Sequence, residues 1–441
     1  MIMRFIFLLL LSLPVFAHQY TSLDDLVVDV CSVHSFEKCS DPVVDTDGDG
    51  IPDDTDECPN DPTNTCNDPI DTDGDGIADD VDECPSDPTN TCNDPVDPPT
   101  GHVITDAPMG VWGELPDTKL IDLVTPEAQG SPYRYLGSAK SILTAWNGAS
   151  WDEARNEMHV IASGGHADYC GNQHFKLDAD DVAWSLVRPH SQFDINIPGQ
   201  SFQEMFEDGA TPDGKPISRH TWGGTVYAGV ADKHYIFPGS NCSGAGGGDS
   251  RVWSADPETG ETELVSTEWS GSRNQSAYDP VTGKIYVAQY GRIYSFDPTT
   301  NTVATEKPLG GAESPWRSDT LGVAIDPDRR TIAYAGGNKF YSFNIDTKVF
   351  TKHSDITLGI GNCYGPGLVF VESQDKYLAW CGGNSLYWLD PMTFEETEQV
   401  VTGSAPAKNP NGMFGRFGYS EKYNAIIVPD SVYENVKFLK L

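Results

Sequence analysis

The sequence predicts an all-β protein whose bulk is a six- or seven-bladed β-propeller, preceded by a small acidic repeat segment. Two observations carry this. The 441 residues include 43 Gly and 31 Pro, turn formers that suit many short strands rather than long helices. Short β-prone runs also end on a recurring aromatic signal: Phe175-Lys176-Leu177-Asp178, Trp253-Ser254-Ala255-Asp256, Tyr294-Ser295-Phe296-Asp297, Tyr341-Ser342-Phe343-Asn344 and Tyr387-Trp388-Leu389-Asp390. The last three intervals are 41, 47 and 46 residues, the length of a four-stranded propeller blade. With 38% apolar and 10% aromatic residues the chain can build a core, which excludes disorder throughout.

Charge divides the chain. The whole carries a formal −38. Residues 18–100 hold 24 acids and one base, Lys38, while 101–441 carry a net −16. Such acidity excludes sequence-independent nucleic-acid binding and attraction to an anionic membrane surface, since both need a basic face.

Residues 1–17 join Arg4, an apolar run from Phe5 to Leu13, and Val15-Phe16-Ala17 before His18. This is the layout of a cleavable signal peptide, so the protein is expected to be secreted, without membrane insertion. A cap segment, 18–44, follows. Six cysteines fall in three pairs of equal separation, Cys31/Cys39, Cys58/Cys66 and Cys84/Cys92, and read as local disulfides in an oxidising compartment. Cys170, Cys242, Cys363 and Cys381 are left as two disulfides, thiol pairs or metal ligands.

The segment 45–67 recurs at 71–93 with a period of 26 residues. Each copy offers carboxylates at loop positions 1, 3, 5, 9 and 12: Asp45, Asp47, Asp49, Asp53 and Asp56, then Asp71, Asp73, Asp75, Asp79 and Asp82. Gly50 and Gly76 permit the sharp turn, and the carbonyls of Ile51 and Ile77 fill position 7, a set of hard oxygen ligands suited to calcium. The two copies resemble the thrombospondin type 3 repeat, which implies a calcium-stiffened spacer. The Pro-rich stretch 94–104 reads as a linker, and 105–441 as the propeller.

Within the propeller, Gly-Gly pairs lie upstream of several aromatic signals: Gly164-Gly165, Gly336-Gly337 and Gly382-Gly383. These features resemble Kelch-type propellers. A last unit ends at 436–441, and the strand around 111–124 is placed to close the ring beside it. The interval from 178 to 256 holds either another blade or a long loop at 188–218.

In a propeller, the lead-in to each innermost strand and the loop between its second and third strands open on one face, where ligands converge. The predicted lead-ins contain Lys140, Arg219-His220, Arg273, Arg317, Cys363-Tyr364 and Arg416. The other loops add His166, Asp168 and Tyr169, then Arg251, then Tyr290 and Arg292, with His190 between the first two blades. This predicts a cationic funnel for an anionic ligand, and in a secreted protein an acidic polysaccharide is the expected partner. A cation beside His and Tyr is also the equipment for β-elimination: neutralise a uronate carboxylate, take the C5 proton, protonate the leaving oxygen.

The order of these residues resembles the propeller-type ulvan lyases, which cut a sulfated, uronate-containing polysaccharide by that reaction. The resemblance rests on Gly165-His166-Ala167-Asp168-Tyr169, Arg188-Pro189-His190, His234-Tyr235-Ile236-Phe237, Asp249-Ser250-Arg251-Val252-Trp253 and Gln289-Tyr290-Gly291. It implies that His166 and Tyr235 transfer protons, while Arg251, His190 and Tyr290 hold the carboxylate. Arg219, His220, Arg273 and Arg317 join them as substrate-binding candidates. Some members of that group hold a structural zinc, for which Cys363 and Cys381 with His353 are candidates here beside a plain disulfide. Two other functions stay open: a non-catalytic carbohydrate-binding or adhesion propeller, and a copper oxidase with a Cys170–Tyr169 cross-link.

Overall fold

A computed structural model describes Thr46, Ile51 and residues 101–125, 137–165, 168–191, 209–242, 250–269, 271–308, 318–353 and 359–441. The chain divides into two compact units, Met1–Val96 and Asp97–Leu441. In the first, the proposed calcium ligands Asp45, Asp47, Asp49, Asp53, Asp56, Asp71, Asp73, Asp75, Ile77, Asp79 and Asp82 lie outside the described residues, and Ile51 is exposed.

The second unit is a six-bladed β-propeller, mostly strand, with one α-helical turn, Ser141–Thr144, among the described residues. Blade one is β2 (Ser150–Asp152), β3 (Glu157–Ile161), β4 (His174–Asp178) and β5 (Ala183–Arg188). Blade two is β7 (Thr225–Ala228), β8 (Lys233–Ile236), β10 (Val252–Ala255) and β11 (Thr262–Ser266). Blade three runs from β12 (Gln275–Asp279) through β13 (Lys284–Gln289) and β14 (Arg292–Asp297) to β15 (Thr302–Pro308). Blade four is β16 (Gly322–Asp326) to β19 (Phe350–Lys352), and blade five β20 (Gly367–Val371) to β23 (Glu396–Val400). All neighbouring strands within these blades are antiparallel.

Blade six is built from both ends of the unit. β25 (Gly418–Ser420), β26 (Ala425–Val428) and β27 (Lys437–Lys440) supply three strands, and β1 (Val111–Glu114) pairs antiparallel with β27 as the fourth. The expected closure of the ring by the strand near Val111 is therefore present. Among the described residues of the long interval before 256 there is no seventh blade. Its place is taken by the excursion after β5 and a two-stranded pairing of β6 (Arg219–His220) with β9 (Ser240–Asn241).

The repeated aromatic signal falls on the third strand of blades one to five, and its terminal Asp or Asn has a local task. Asp256 Oδ1 accepts the backbone N–H of Glu258 and Thr259, Asp297 those of Thr299 and Thr300, and Asp390 those of Met392 and Thr393. Each is an Asx-type turn that sends the chain into the fourth strand. At the same end, arginines clasp adjacent blades: Arg155 to Asp232, Arg329 to Asp375 and Arg330 to Asp279.

The core is divided among the interfaces between blades. Met158, Val160, Phe175, Ile427 and Phe438 pack blade one on blade six. Tyr235, Phe237, Val287 and Phe296 join blades two and three, and Tyr286, Ile332, Tyr334 and Phe343 join three and four. Between blades one and two the apolar contact is small: Ile161, Ala162, Ile236, Trp253 and Ala255. Among the described residues no helix is long and apolar enough to cross a membrane.

Among the described residues two disulfides are formed, Cys170–Cys242 and Cys363–Cys381. The second consumes both sulfurs proposed for zinc, and His353 Nε2 lies 2.8 Å from Ser342 Oγ instead. The first takes Cys170 away from a cross-link to Tyr169, which removes the basis of the copper-oxidase reading.

Candidate functional site

Six residues before the end of each innermost strand stand Trp146, Trp222, Arg273, Thr320, Gly365 and Phe414. They are equivalent positions of the six blades, at the predicted mouth. Trp146 (φ 49°), Trp222 (φ 46°), Arg273 (φ 69°) and Phe414 (φ 47°) adopt the left-handed conformation that Gly365 (φ 52°) takes freely. Bulky residues pay for that conformation, and such strain concentrates at functional sites. Main-chain bonds tie the positions together: Trp222 N–H to Trp146 O at 2.8 Å, Gly365 N–H to Thr320 O at 2.9 Å, and Phe414 N–H to Gly365 O at 3.3 Å.

Arg273 is the cation of this ring. Its side chain is 39% exposed, and one Nη donates to Asp319 Oδ2 at 3.0 Å and to the Tyr290 hydroxyl at 2.6 Å. Its guanidinium also lies 5.7 Å from the ring centres of both Trp222 and Tyr290. Tyr290 belongs to the tight turn between β13 and β14 and is 44% exposed. The Tyr364 hydroxyl donates to the same Asp319 oxygen at 3.3 Å. Burial, then the Asp319 charge, pushes Tyr364 up to about 12, so it stays a proton donor at neutral pH.

A second polar group borders the first through Trp222. The His220 ring is 5.1 Å from Trp146 and 5.7 Å from Trp222, and its Nε2 is 2.8 Å from Asp168 Oδ2. Gly165 (φ 52°) makes this approach possible, because a Cβ there would lie 2.1 Å from the His220 backbone nitrogen. The site therefore pairs a carboxylate-held guanidinium and phenol with a carboxylate-held imidazole, on an aromatic floor.

The structure brings together Arg273, Tyr290 and His220 of the predicted residues. It adds Asp319, Trp146 and Trp222, which sequence reasoning missed; the signal for the two tryptophans was their common offset from the ends of the innermost strands. Tyr235 is a correction. It is 2% exposed between blades two and three, and its hydroxyl donates to Pro298 O at 3.3 Å. Pro298 begins the turn from β14 to β15, at the end of the ring opposite the mouth. Burial pushes this phenol up to about 12, as expected of a packing residue.

Arg219 and Arg416 are corrections too. Both sit at the predicted lead-ins but are fully buried. Arg219 donates to the carbonyls of Ile217 and Gly209, and Arg416 to those of Asn147, Pro429 and Gly412. Burial pulls Arg416 down to about 10, and its guanidinium fastens blade six to blade one. Of the described lead-in cations only Arg273 and Lys140 remain exposed, joined by the exposed Arg292 of the β13–β14 turn. His190 is buried, with Nδ1 3.1 Å from Ser191 O, and Arg251 is half-buried ahead of β10. His166 and Arg317 lie outside the described residues.

No family model matches the chain, and no curated protein matches it. Among solved structures it is similar to a crystal structure of a nidogen/laminin complex, at 14% identity over 49% of this chain and 79% of that one, with a TM-score of 0.32. That likeness is too loose to carry an argument about function.

Proposed function

We propose that the mouth binds a uronate-containing, sulfated polysaccharide and cleaves it by β-elimination outside the cell. The observation that carries the reading is the Arg273–Tyr290–Asp319 group, where an exposed guanidinium touches an exposed phenol. Arg273 neutralises the uronate carboxylate, which makes the C5 proton removable. Tyr290, its oxygen held by Arg273, serves as the base that takes that proton; the C4=C5 double bond forms as the C4–O4 bond breaks. His220, oriented by Asp168, protonates the leaving O4. The half-buried Trp146 offers an apolar face for a sugar ring, while the buried Trp222 backs Arg273 and His220. His166, Arg251 and His190 remain in the proposal from the sequence order alone.

The test is to incubate the secreted protein with ulvan, alginate, pectin and a glycosaminoglycan and follow the ultraviolet band of an unsaturated uronate. A rise with one polymer is expected. Retention on an ulvan gel with no rise on any polymer would replace the lyase by the second reading, a carbohydrate-binding propeller. That reading is favoured by one observation: both polar groups of the mouth are already balanced by Asp319 and Asp168.

The acidic repeats are proposed to bind calcium as a spacer. Chelating calcium should raise protease cleavage within residues 40–95 while near-ultraviolet circular dichroism of the propeller stays unchanged. Equal cleavage with and without calcium would remove this role.

A further inference from the structure

The interface between blades one and two has the small apolar contact noted above, and a polar cluster occupies the space beside it. Asp152 at the end of β2, His159 on β3 and His234 on β8 are all fully buried. One ligand atom from each lies within 4.8 Å of the others. The His159 and His234 ring centres are 4.0 Å apart. We propose that Asp152, His159 and His234 form a structural site for a first-row divalent metal ion, of the Zn²⁺ class, that joins blade one to blade two.

Three further observations point to an ion. First, His234 Nδ1 lies 2.7 Å from Ser150 Oγ, while Nε2 is buried with no hydrogen-bond partner. A hydrogen bond from Nδ1–H to the serine leaves the Nε2 lone pair directed for a metal, the usual arrangement around a ligating imidazole. Without a ligand, such a buried polar atom is a destabilising defect.

Second, His159 is held on both sides: Nδ1 is 2.8 Å from His174 Nε2, and Nε2 is 3.1 Å from Glu157 Oε2. Binding through one nitrogen leaves the other contact to fix the ring.

Third, the local charge has a surplus that a dication would cancel. Arg155 and Lys176 are the two cations, and Asp152, Glu157, Asp232 and Glu258 are the four carboxylates paired with them. Arg155 beside Asp152 is thus already neutralised by Asp232 and Glu258.

Two imidazoles and a carboxylate select Zn²⁺ or a similar ion over Ca²⁺ or Mg²⁺, which prefer oxygen shells. Since every ligand is buried, the ion is taken up as the blades assemble. The site is separate from the mouth, because Asp152 lies where β2 turns into β3, at the opposite end of that strand.

The full chain is unfolded in chelator and refolded with excess Ca²⁺, with or without Zn²⁺ or Co²⁺. Expected are one tightly held Zn²⁺ or Co²⁺ per chain, visible Co²⁺ d–d bands without thiolate charge-transfer bands, and a raised unfolding temperature. His234→Ala should lose that ion. A wild-type chain that retains none, or a refolded His234→Ala chain that retains as much, overturns the proposal. Should that variant fail to refold, X-ray absorption of the wild-type zinc form decides: imidazole scattering is expected, and a sulfur shell or one without imidazole overturns it.

Discussion

Tyr290→Phe is expected to lower polymer turnover by about 10²- to 10⁴-fold, the usual contribution of a positioned proton-transfer group, with polymer affinity nearly unchanged. The substitution removes only the oxygen that Arg273 contacts at 2.6 Å. Arg273→Ala should cost about 10²- to 10³-fold in kcat and raise KM as well, because the same guanidinium meets the substrate carboxylate before and during the reaction. Arg273→Lys is expected to rescue little, since an ammonium cannot keep both partners in a planar fork. Tyr235→Phe supplies the contrast. Its hydroxyl bonds a carbonyl at the far end of the ring, so kcat should stay at the wild-type value while stability falls by about 1 kcal/mol. Full activity in Tyr290→Phe, or its loss in a folded Tyr235→Phe, would move the chemistry away from the mouth.

The largest expected effect on stability comes from one added carbon. In Gly415→Ala the new Cβ would lie 1.9 Å from the Ala149 carbonyl oxygen and 3.0 Å from its carbon. Both are backbone of the neighbouring blade, so no side chain can turn aside. Overpacking typically costs about 1–3 kcal/mol; with main chain on both sides the loss should exceed about 3 kcal/mol, read as a lowered urea midpoint. Gly229→Ala is the control. Its Cβ would meet nothing closer than 3.9 Å and its backbone is not left-handed, so its midpoint should shift slightly or rise. A Gly415→Ala protein as stable as the control would mean that blades six and one sit farther apart than described.

The blades were legible because their punctuation is chemical. An Asp or Asn that caps the turn after the third strand repeats at blade length, and Asp256, Asp297, Asn344 and Asp390 show why its side-chain oxygen is needed. The strand before Glu114 was also foreseeable, since a three-stranded last unit leaves an edge to cover. The site was less legible because a sequence gives position but not direction. Arg219 and Arg416 stand where mouth cations were expected, yet their side chains turn inward to carbonyls. Tyr235 has the same problem in reverse: a strand alternates its faces, and its face is the interface. The histidine cluster left no sequence signal, for His159, His174 and His234 come from three strands of two blades.

The pairing of β1 with β27 gives the propeller a clasp made from its two most distant parts: Glu114 meets Lys437. Everything between can form local hairpins as the chain emerges, but the circle stays open until its last strand exists. Closing so long a loop is slow compared with making a hairpin. During that wait both rims of the open sheet stack offer unpaired edges. A chain cut short anywhere before 437 would keep that exposure permanently, so proteases would remove incomplete copies and spare closed ones. Unravelling of a finished molecule would begin at the same seam.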